Sequence, residues 1–379
     1  MKPRPTPSPL LYADSDTSAD QLYFTGFHAG DPFIAFGVGR EKYGVFSALE
    51  ISRARKESTL DGILSLPEWQ DRARRYSANG KAGPAEVIKA LARHFKLRRL
   101  VVPDDFPAAL LLRLREIGVK VDVAGGQFIP KRAVKTPAEV AAIREGNRLA
   151  SVGFRVAERM LKAATIRNGV LMLDRKPLTS ERVKFAIEVA ILEQGGVSMD
   201  TIAAGGDQAC DPHCRGSGPL RANELIIFDI FPRVTASGYH GDMTRTYLKG
   251  TASDAQRALV DTVRAAHRLG IKSIKAGAHG INVHKKIVKF FEDAGYVTAN
   301  DEKGTRGFFH GTGHGLGLAV HEPPGIGVRG TPLRAGHVVT VEPGLYYPGL
   351  GGCRFEDVVL VTKSGCELVS RHPYVWEIA

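Results

Sequence analysis

The sequence predicts two domains, a small α/β domain followed by a larger α+β domain, and three observations support this prediction. The chain has 379 residues, which is more than one hydrophobic core usually organises. Up to about Pro130, short apolar runs alternate with helical stretches, as in a small α/β domain. Beyond that point, amphipathic helices are interspersed with β-rich runs. We therefore expect domains at residues 1–130 and 131–379.

A helix start marks the predicted boundary. Thr136 and Glu139 have the spacing of a capping box, and Pro137 suits the first helical position. A long helix is therefore predicted to begin at about Thr136. Further helices are predicted in the amphipathic stretches SERVKFAIEVAILEQ, AQRALVDTVRAAHRLGIKSIK and NVHKKIVKFFEDAG. Antiparallel strands are predicted in the β-rich runs LIIFDIF, MTRTYLKG, VVTVEPGLYY and CRFEDVVLVT.

Composition and charge exclude several classes of protein. The formal net charge is +12, but no basic cluster is interleaved with aromatic residues in a recognised motif, so nucleic-acid binding is not expected. No apolar stretch approaches the roughly 18 residues of a membrane span, and the N-terminal segment lacks the apolar run of a secretory signal. We therefore expect a cytoplasmic protein with no membrane partner.

Cysteine usage agrees with a reducing compartment, because four cysteines in a chain of this length are too few for a disulfide scaffold. Cys210 and Cys214 flank His213, which leaves a zinc site as an alternative to idle thiols. No second pair stands at ligand spacing elsewhere in the sequence. Thiols that bind no metal are therefore favoured.

Two predicted hairpins each carry a pair of carboxylates. Asp229 lies in LIIFDIF and Asp242 begins DMTRTY, so an antiparallel hairpin would place the two opposite each other. Glu342 and Glu356 repeat this arrangement around the next turn, and Asp357 should point to the other face of its strand. Like charges directly opposite on a sheet are destabilising unless a cation lies between them. The four acids therefore predict a cation site.

Three histidines lie between the hairpins, in FFHGTGHGLGLAVHEPPG, at positions His310, His314 and His321. Packing explains such a cluster poorly, and the neighbouring glycines would let a ligand approach the backbone. Four carboxylates with one imidazole ligand suit two divalent ions such as manganese, cobalt, iron or zinc, whereas calcium prefers more oxygen ligands and no histidine. Two such ions can bind a bridging hydroxide and polarise a carbonyl, which is hydrolytic chemistry.

The motifs GYHGDMTRT, HGTGHGLGLAVHE, TVEPGLY and RFEDVVLVT, in this order, resemble the metallopeptidase family that includes methionine aminopeptidase, aminopeptidase P and prolidase. The match spans about residues 135–379. The segment ADSDTSADQLYFTGF resembles the creatinase-type N-terminal domain of the proline-specific branch. The resemblance implies an α+β pita-bread catalytic domain at 131–379, preceded by a smaller α/β creatinase-like domain at 1–130.

The resemblance also implies a set of metal ligands, which are Asp229, Asp242, His314, Glu342 and Glu356. Asp242 and Glu356 would bridge two divalent ions per chain. The resemblance favours manganese, with cobalt, zinc and iron as alternatives.

Further roles follow from the same resemblance. Glu342 would also act as the acid–base residue beside the bridging hydroxide, His321 would contact the scissile peptide, and His213 would handle a proton. His310 and Arg354 would bind the substrate. The segment DQACDPHCRGSG around His213 departs from the family's usual pattern.

The implied function is hydrolysis of Xaa-Pro bonds, in dipeptides or at the N-terminus of short peptides, by a homodimer. Prolidase-like and aminopeptidase P-like specificity both stay open at this point. Two alternatives are a non-catalytic pita-bread binding module and a metallohydrolase of this fold without proline specificity. The Asp229–Asp242 interval is two residues longer than is usual in the family, which preserves strand parity, and RNGVLMLDRKPL resembles an insertion.

Overall fold

The computed structural model describes residues 7–75, 77, 80, 82–302 and 304–379. The chain divides into two compact units, Met1–Pro130 and Lys131–Ala379. Residues 1–6 of the N-terminal segment, which lacks the apolar run of a secretory signal, lie outside the described residues. None of the helices in the described ranges combines the length and the apolarity needed to cross a membrane.

The first unit is built on a six-stranded sheet with helices packed against it. Its strands are β1 (Ser8–Ala13), β2 (Phe33–Val38), β3 (Glu41–Phe46), β4 (Gly62–Ser65), β5 (Leu100–Val102) and β6 (Val121–Val123). Its helices are α1 (Ala19–Thr25), α2 (Ile51–Glu57), α3 (Leu66–Arg74), α4 (Pro84–His94) and α5 (Ala108–Glu116). The spatial order is β4-β3-β2-β1-β5-β6. Strands β1, β2 and β3 pair antiparallel, whereas β4, β5 and β6 join in parallel.

The described residues of the second unit form four longer helices and short, mostly antiparallel strands. Its helices are α6 (Pro137–Ala163), α7 (Ser180–Leu192), α8 (Asp254–Ser273) and α9 (Gly280–Asp293). Its first strands are β7 (Thr165–Arg167), β8 (Val170–Leu173), β9 (Lys176–Pro177), β10 (Gly196–Val197), β11 (Ile202–Gly205), β12 (Ile226–Asp229), β13 (Arg233–Val234), β14 (Thr244–Lys249) and β15 (Ala299–Asp301). The remaining strands are β16 (Gly304–Arg306), β17 (Gly313–Gly315), β18 (Glu322–Ile326), β19 (Val338–Val341), β20 (Gly344–Tyr347), β21 (Gly351–Arg354), β22 (Asp357–Val361), β23 (Cys366–Leu368) and β24 (Glu377–Ile378). Short 3₁₀ helices cover Pro130–Ala133 and Gly206–Cys210.

Helix α6 begins as its sequence predicts. The Thr136 side chain accepts a hydrogen bond from the Glu139 backbone N–H, and the Glu139 carboxylate accepts one from the Thr136 backbone N–H. Pro137 occupies the first turn. The helix buries a long apolar stripe against the sheet that contains β12 and β14, with Phe154 and Leu161 fully enclosed. This packing fixes the position of the strands that carry the first two acids.

Two sheets in this unit carry the predicted acids. Strand β12 pairs antiparallel with β11 and β14, and β19 pairs antiparallel with β17 and β22. All four predicted β-rich runs contain strands, and the last two runs each contain two. The segment predicted as an insertion forms the small antiparallel sheet β7-β8-β9.

Candidate metal centre

The first pair of carboxylates lies on the hairpin of β12 and β14. Asp229 faces Thr244 across this hairpin, so the predicted direct opposition of Asp229 and Asp242 is wrong by two residues. The backbone bond from Ile230 N–H to the Met243 oxygen, 3.0 Å, continues the ladder beyond Thr244. Because side chains alternate with a period of two, the shift still leaves Asp242 on the same face as Thr244 and Asp229. The long turn accommodates the shift.

The second pair lies where two ladders of one hairpin meet. Val341 faces Asp357, and Gly344 faces Arg354. Glu342 and Glu356 stand between these ladders in the same register, so their predicted opposition is confirmed by the strand pairing.

The hairpins and a glycine-rich strand bring their polar groups together. Asp242, His314 and Glu356 each offer a ligand atom, and these atoms all lie within 4.8 Å of one another. His314 Nε2 lies 3.6 Å from Asp242 Oδ2 and 3.4 Å from Glu342 Oε1. Gly313, beside His314, has no room for a side chain, because a Cβ atom would lie 2.0 Å from the Thr340 backbone oxygen. The glycines thus let β17 approach β19 closely enough to deliver the imidazole.

Electrostatics make this cluster costly without a cation. Asp242 and Glu356 are 3% and 2% exposed. Burial and the neighbouring carboxylates raise the pKa of both well above its usual range. Burial, with a contribution from Asp229, also raises the pKa of Glu342 to about 7. Closely spaced acids that resist ionisation are the condition that a bound cation relieves.

The donor set fits a divalent ion in a second respect. In the part of the chain that the structure describes, the buried oxygen Oδ1 of Asp229 has no hydrogen-bond partner. Its other oxygen, Oδ2, accepts a hydrogen bond from Arg354 Nη2 over 2.7 Å. A buried carboxylate oxygen without a partner is normally rare, and a metal ion would satisfy it. Carboxylates with one imidazole are also the ligands that borderline divalent ions accept.

Arg354, predicted to bind substrate, is held inside the cluster. The side chain is 3% exposed, and besides Asp229 it donates to the Tyr346 hydroxyl over 3.0 Å and to Thr244 Oγ1 over 3.2 Å. His310 Nε2 lies 2.8 Å from the same Tyr346 hydroxyl. A hydrogen-bond chain therefore runs from His310 through Tyr346 and Arg354 to Asp229. The substrate-binding roles of His310 and Arg354 stay predictions.

Sequence reasoning missed several residues that support this arrangement. Thr244 Oγ1 donates to Glu356 Oε2 over 2.7 Å, and the Asn147 side-chain oxygen accepts the Asp242 backbone N–H over 3.2 Å. Thr244 stands two positions after Asp242, so the strand period could have placed it on the acidic face. Tyr346 and Asn147 carried no such signal, because their contacts depend on packing between distant segments.

The two histidines predicted to take part in catalysis outside the ligand set, His321 and His213, lie near the cluster. The His321 ring packs edge-on against the His314 ring, with centroids 4.3 Å apart. Burial lowers the pKa of His321, and the adjacent His314 and His213 add to the effect. His213 is exposed on the loop after the 3₁₀ helix. Lys184 anchors that loop by donating to the backbone oxygens of residues 215 and 216 over 3.0 and 2.8 Å.

The alternative zinc site at Cys210, His213 and Cys214 receives no support. Among the described residues, the grouping of potential ligands is Asp242, His314 and Glu356. Burial raises the pKa of Cys210 to about 12, with a contribution from Asp207, which disfavours the thiolate that zinc would need.

Known proteins resemble this chain in sequence and in fold. The family model described as metallopeptidase family M24 matches residues 141–363. "Putative dipeptidase YkvY" of Bacillus subtilis is 28% identical over 374 residues, which cover 94% of this chain and 92% of that protein. An Xaa-Pro dipeptidase of Lactobacillus delbrueckii subsp. lactis is 32% identical over 242 residues, 62% of this chain and 59% of that protein.

Among solved structures, an Xaa-Pro dipeptidase from Bacillus anthracis superposes with a TM-score of 0.80 at 24% identity. The superposition covers 98% of this chain and 95% of that chain. At this identity the likeness concerns the fold. The predicted α+β pita-bread fold with an additional N-terminal domain is thereby confirmed.

Proposed function

The chain belongs to metallopeptidase family M24, and from that premise we propose that it uses two divalent ions to hydrolyse the bond before proline in short peptides. It is a metallopeptidase. The observation that carries the proposal is the convergence of Asp242, Glu356 and His314 within 4.8 Å, in a buried and strongly acidic site.

The proposed ligands are the five residues implied by the sequence: Asp229, Asp242, His314, Glu342 and Glu356. Two bound divalent ions would supply a water of lowered pKa as the nucleophile and would polarise the scissile carbonyl. The choice among manganese, cobalt, zinc and iron is left to experiment, with manganese the first to test.

The chain's own residues supply orientation and proton transfer. We assign the acid–base role to Glu342, which lies 3.4 Å from His314 Nε2 and receives a weak hydrogen bond of 3.5 Å from Thr340 Oγ1. His321 is assigned to the scissile peptide, since its ring touches His314 at the rim of the cluster and its lowered pKa favours the neutral imidazole. A neutral imidazole can accept a hydrogen bond at one nitrogen and donate at the other.

The remaining assignments concern substrate contacts and the leaving group. His213 is assigned to the proton that the leaving nitrogen must gain, because its loop is exposed beside the other histidines. His310 is assigned to the substrate pocket. Arg354 is assigned an indirect part in substrate binding. Its own donors bond to Asp229, Tyr346 and Thr244, so it would act by holding these neighbours in place.

Proline specificity is the finer part of the proposal. An Xaa-Pro amide has no N–H, and its ring fixes the backbone, so a site shaped for it can exclude ordinary peptides by steric means. The name of the Lactobacillus relative supports this choice. Dipeptides and the N-termini of short peptides are both candidate substrates. A homodimer and a cytoplasmic location stay predictions.

A four-substrate assay tests the proposal. Metal-stripped protein is refilled with manganese, cobalt or zinc and assayed with Ala-Pro, Ala-Ala, Ala-Pro-Ala and Ala-Ala-Ala. We expect kcat/KM, which reports transition-state discrimination, to be at least about tenfold higher for each proline peptide than for its alanine counterpart. Equal values would remove the proline specificity and leave a metallopeptidase of broader range. The preferred proline peptide decides between dipeptidase and aminopeptidase activity.

A further inference from the structure

His321 lies on the loop of residues 316–321, which joins β17 to β18. Its imidazole packs against the His314 ring. Within the part of the chain that the structure describes, this imidazole makes no hydrogen bond. Its position therefore depends on what fixes the loop backbone.

The next residue, Glu322, carries a buried carboxylate paired with two cations. The side chain of Glu322 is 5% exposed and that of Lys135 is 1% exposed. Lys135 Nζ donates to Oε1, and Arg132 Nη2 donates to Oε2 over 2.7 Å. Lys135 Nζ also donates to the Arg132 backbone oxygen over 2.7 Å. These bonds tie the segment before α6 to the residue that follows His321, across 187 residues of sequence.

The same carboxylate lies directly against the loop. A Cβ atom at Gly317 would lie 2.6 Å from Glu322 Oε1, so the loop backbone passes against this oxygen. The Gly317 backbone oxygen accepts a hydrogen bond from the His240 N–H over 2.8 Å. The Ala319 N–H of the loop also donates a long hydrogen bond, 3.5 Å, to Glu322 Oε2. The loop is therefore held on two sides, by Glu322 and by the backbone of His240.

We propose that Glu322 is a positioning residue for His321, and that its ion cluster with Lys135 and Arg132 holds the imidazole beside His314. Adjacent residues in extended backbone point to opposite sides. Because Glu322 begins β18 with its side chain anchored inward, His321 is directed to the other side, where His314 lies. The effect of Glu322 on turnover rests on the proposed function, in which His321 contacts the scissile peptide.

A double-mutant cycle tests this role. Glu322→Gln keeps the side-chain shape but removes the charge. We expect kcat for Ala-Pro to fall about tenfold or more, as part of the roughly 10²–10⁴-fold that a positioned acid–base group supplies, while KM and metal content change less. In the His321→Ala background, Glu322→Gln should leave kcat unchanged, because the two substitutions remove the same contribution, that of the positioned His321 imidazole.

Glu158→Gln is the matched control. Glu158 is a largely buried carboxylate of the same unit, bonded at 3.0 Å to His372 Nε2 and at 3.0 Å to the Tyr247 hydroxyl. It should lower thermal stability without lowering kcat. Wild-type kcat in Glu322→Gln would overturn the positioning role. So would a loss of kcat in the His321→Ala background as large as the loss in the wild-type background, or a loss in Glu158→Gln as large as the loss in Glu322→Gln.

Two further arms keep the test decisive. If Glu322→Gln does not fold, Glu322→Gln/Lys135→Gln removes both charges of the pair and replaces it in the cycle. If metal-loaded wild type cleaves no peptide, the proposed function fails, and the histidine ring resonances decide the positioning role separately. The signals absent in His321→Ala identify His321, and they should shift in Glu322→Gln but not in Glu158→Gln. Unchanged His321 signals in Glu322→Gln would overturn the role.

Discussion

Glu356 and Asp357 are adjacent, both are almost fully buried, and the protein treats them in opposite ways. Asp357 accepts hydrogen bonds from Arg245 at 2.9 Å, Ser370 at 2.7 Å and Tyr374 at 2.6 Å. Although burial opposes ionisation, Arg245 and the bonded neighbours hold the pKa of Asp357 well below its usual range. Burial and the nearby acids Glu342 and Asp229 instead raise the pKa of Glu356.

This difference shows where the protein supplies its own counter-charge. On one face of the chain at residues 356 and 357, Arg245 neutralises a single acid, Asp357. On the other face, Arg354 supplies one positive charge to a group of four carboxylates: Asp229, Asp242, Glu342 and Glu356. An ionised buried acid without a partner costs several kcal/mol of stability. The second face therefore needs a positive charge that the chain does not supply, such as a bound metal cation.

The largest effect on activity should come from substitutions among the four carboxylates that share Arg354. Glu356→Ala or Asp242→Ala removes a carboxylate that we assign to both metal ions. The loss of metal chemistry worth several kcal/mol predicts a fall in activity of roughly 10³-fold or more. The metal-free variants should be at least as stable as metal-free wild type, since an unpaired buried charge is gone. Peptidase assays, metal analysis and urea unfolding of the stripped proteins provide the measurements. A variant that keeps wild-type activity would remove its residue from the site.

The neighbouring position should respond in the opposite way. Asp357→Asn leaves Arg245 buried without its counter-ion, so the free energy of unfolding should fall by about 3–5 kcal/mol, whereas metal content should stay close to that of wild type. Denaturant unfolding and elemental analysis of the purified variant give both values. Loss of metal as complete as in Glu356→Ala would erase the distinction between the two faces.

These two faces also show how far sequence reasoning reaches. The period of a strand predicted that Asp357 points away from Glu356. Glu342 and Glu356 stay in the predicted register because β20 and β21 continue the same hairpin up to a tight turn after Tyr347. The turn before Asp242 is long enough to shift by two residues without breaking the alternation, so its register could not be fixed from the sequence. The bonds of Arg354 depend on packing among separate strands, which no local pattern encodes.

Histidines outside the ligand set should affect turnover and leave the metals in place. His321→Ala and His213→Ala are each expected to lower kcat roughly 10²–10⁴-fold, the usual worth of a positioned acid–base group. Metal content should remain near wild type, because neither residue is among the proposed ligands. Steady-state kinetics with metal analysis of the same samples tests this. Loss of metal in either variant would mean that the residue is a ligand.

The smallest expected effect concerns the pH dependence of stability that the buried imidazole of His337 causes. Burial, with Lys135 and Arg334, lowers the pKa of His337 to about 4. The unfolded chain therefore binds more protons than the folded one between about pH 6.5 and 4, and stability falls as the pH drops through that range, by at most about 1.4 kcal/mol per pH unit. His337→Asn should flatten this dependence in urea unfolding at several pH values. An unchanged slope would show that His337 does not cause it.

Metal stoichiometry tests the central claim most directly. Wild type, Asp357→Asn and Glu356→Ala are stripped with a chelator, titrated with manganese, cobalt and zinc, and analysed for bound metal and for the heat of binding. Two divalent ions per folded chain are expected for wild type and Asp357→Asn, with at least one ion lost in Glu356→Ala. Folded wild-type protein that binds none of the three metals would contradict the assignment of this acidic cluster as a metal centre.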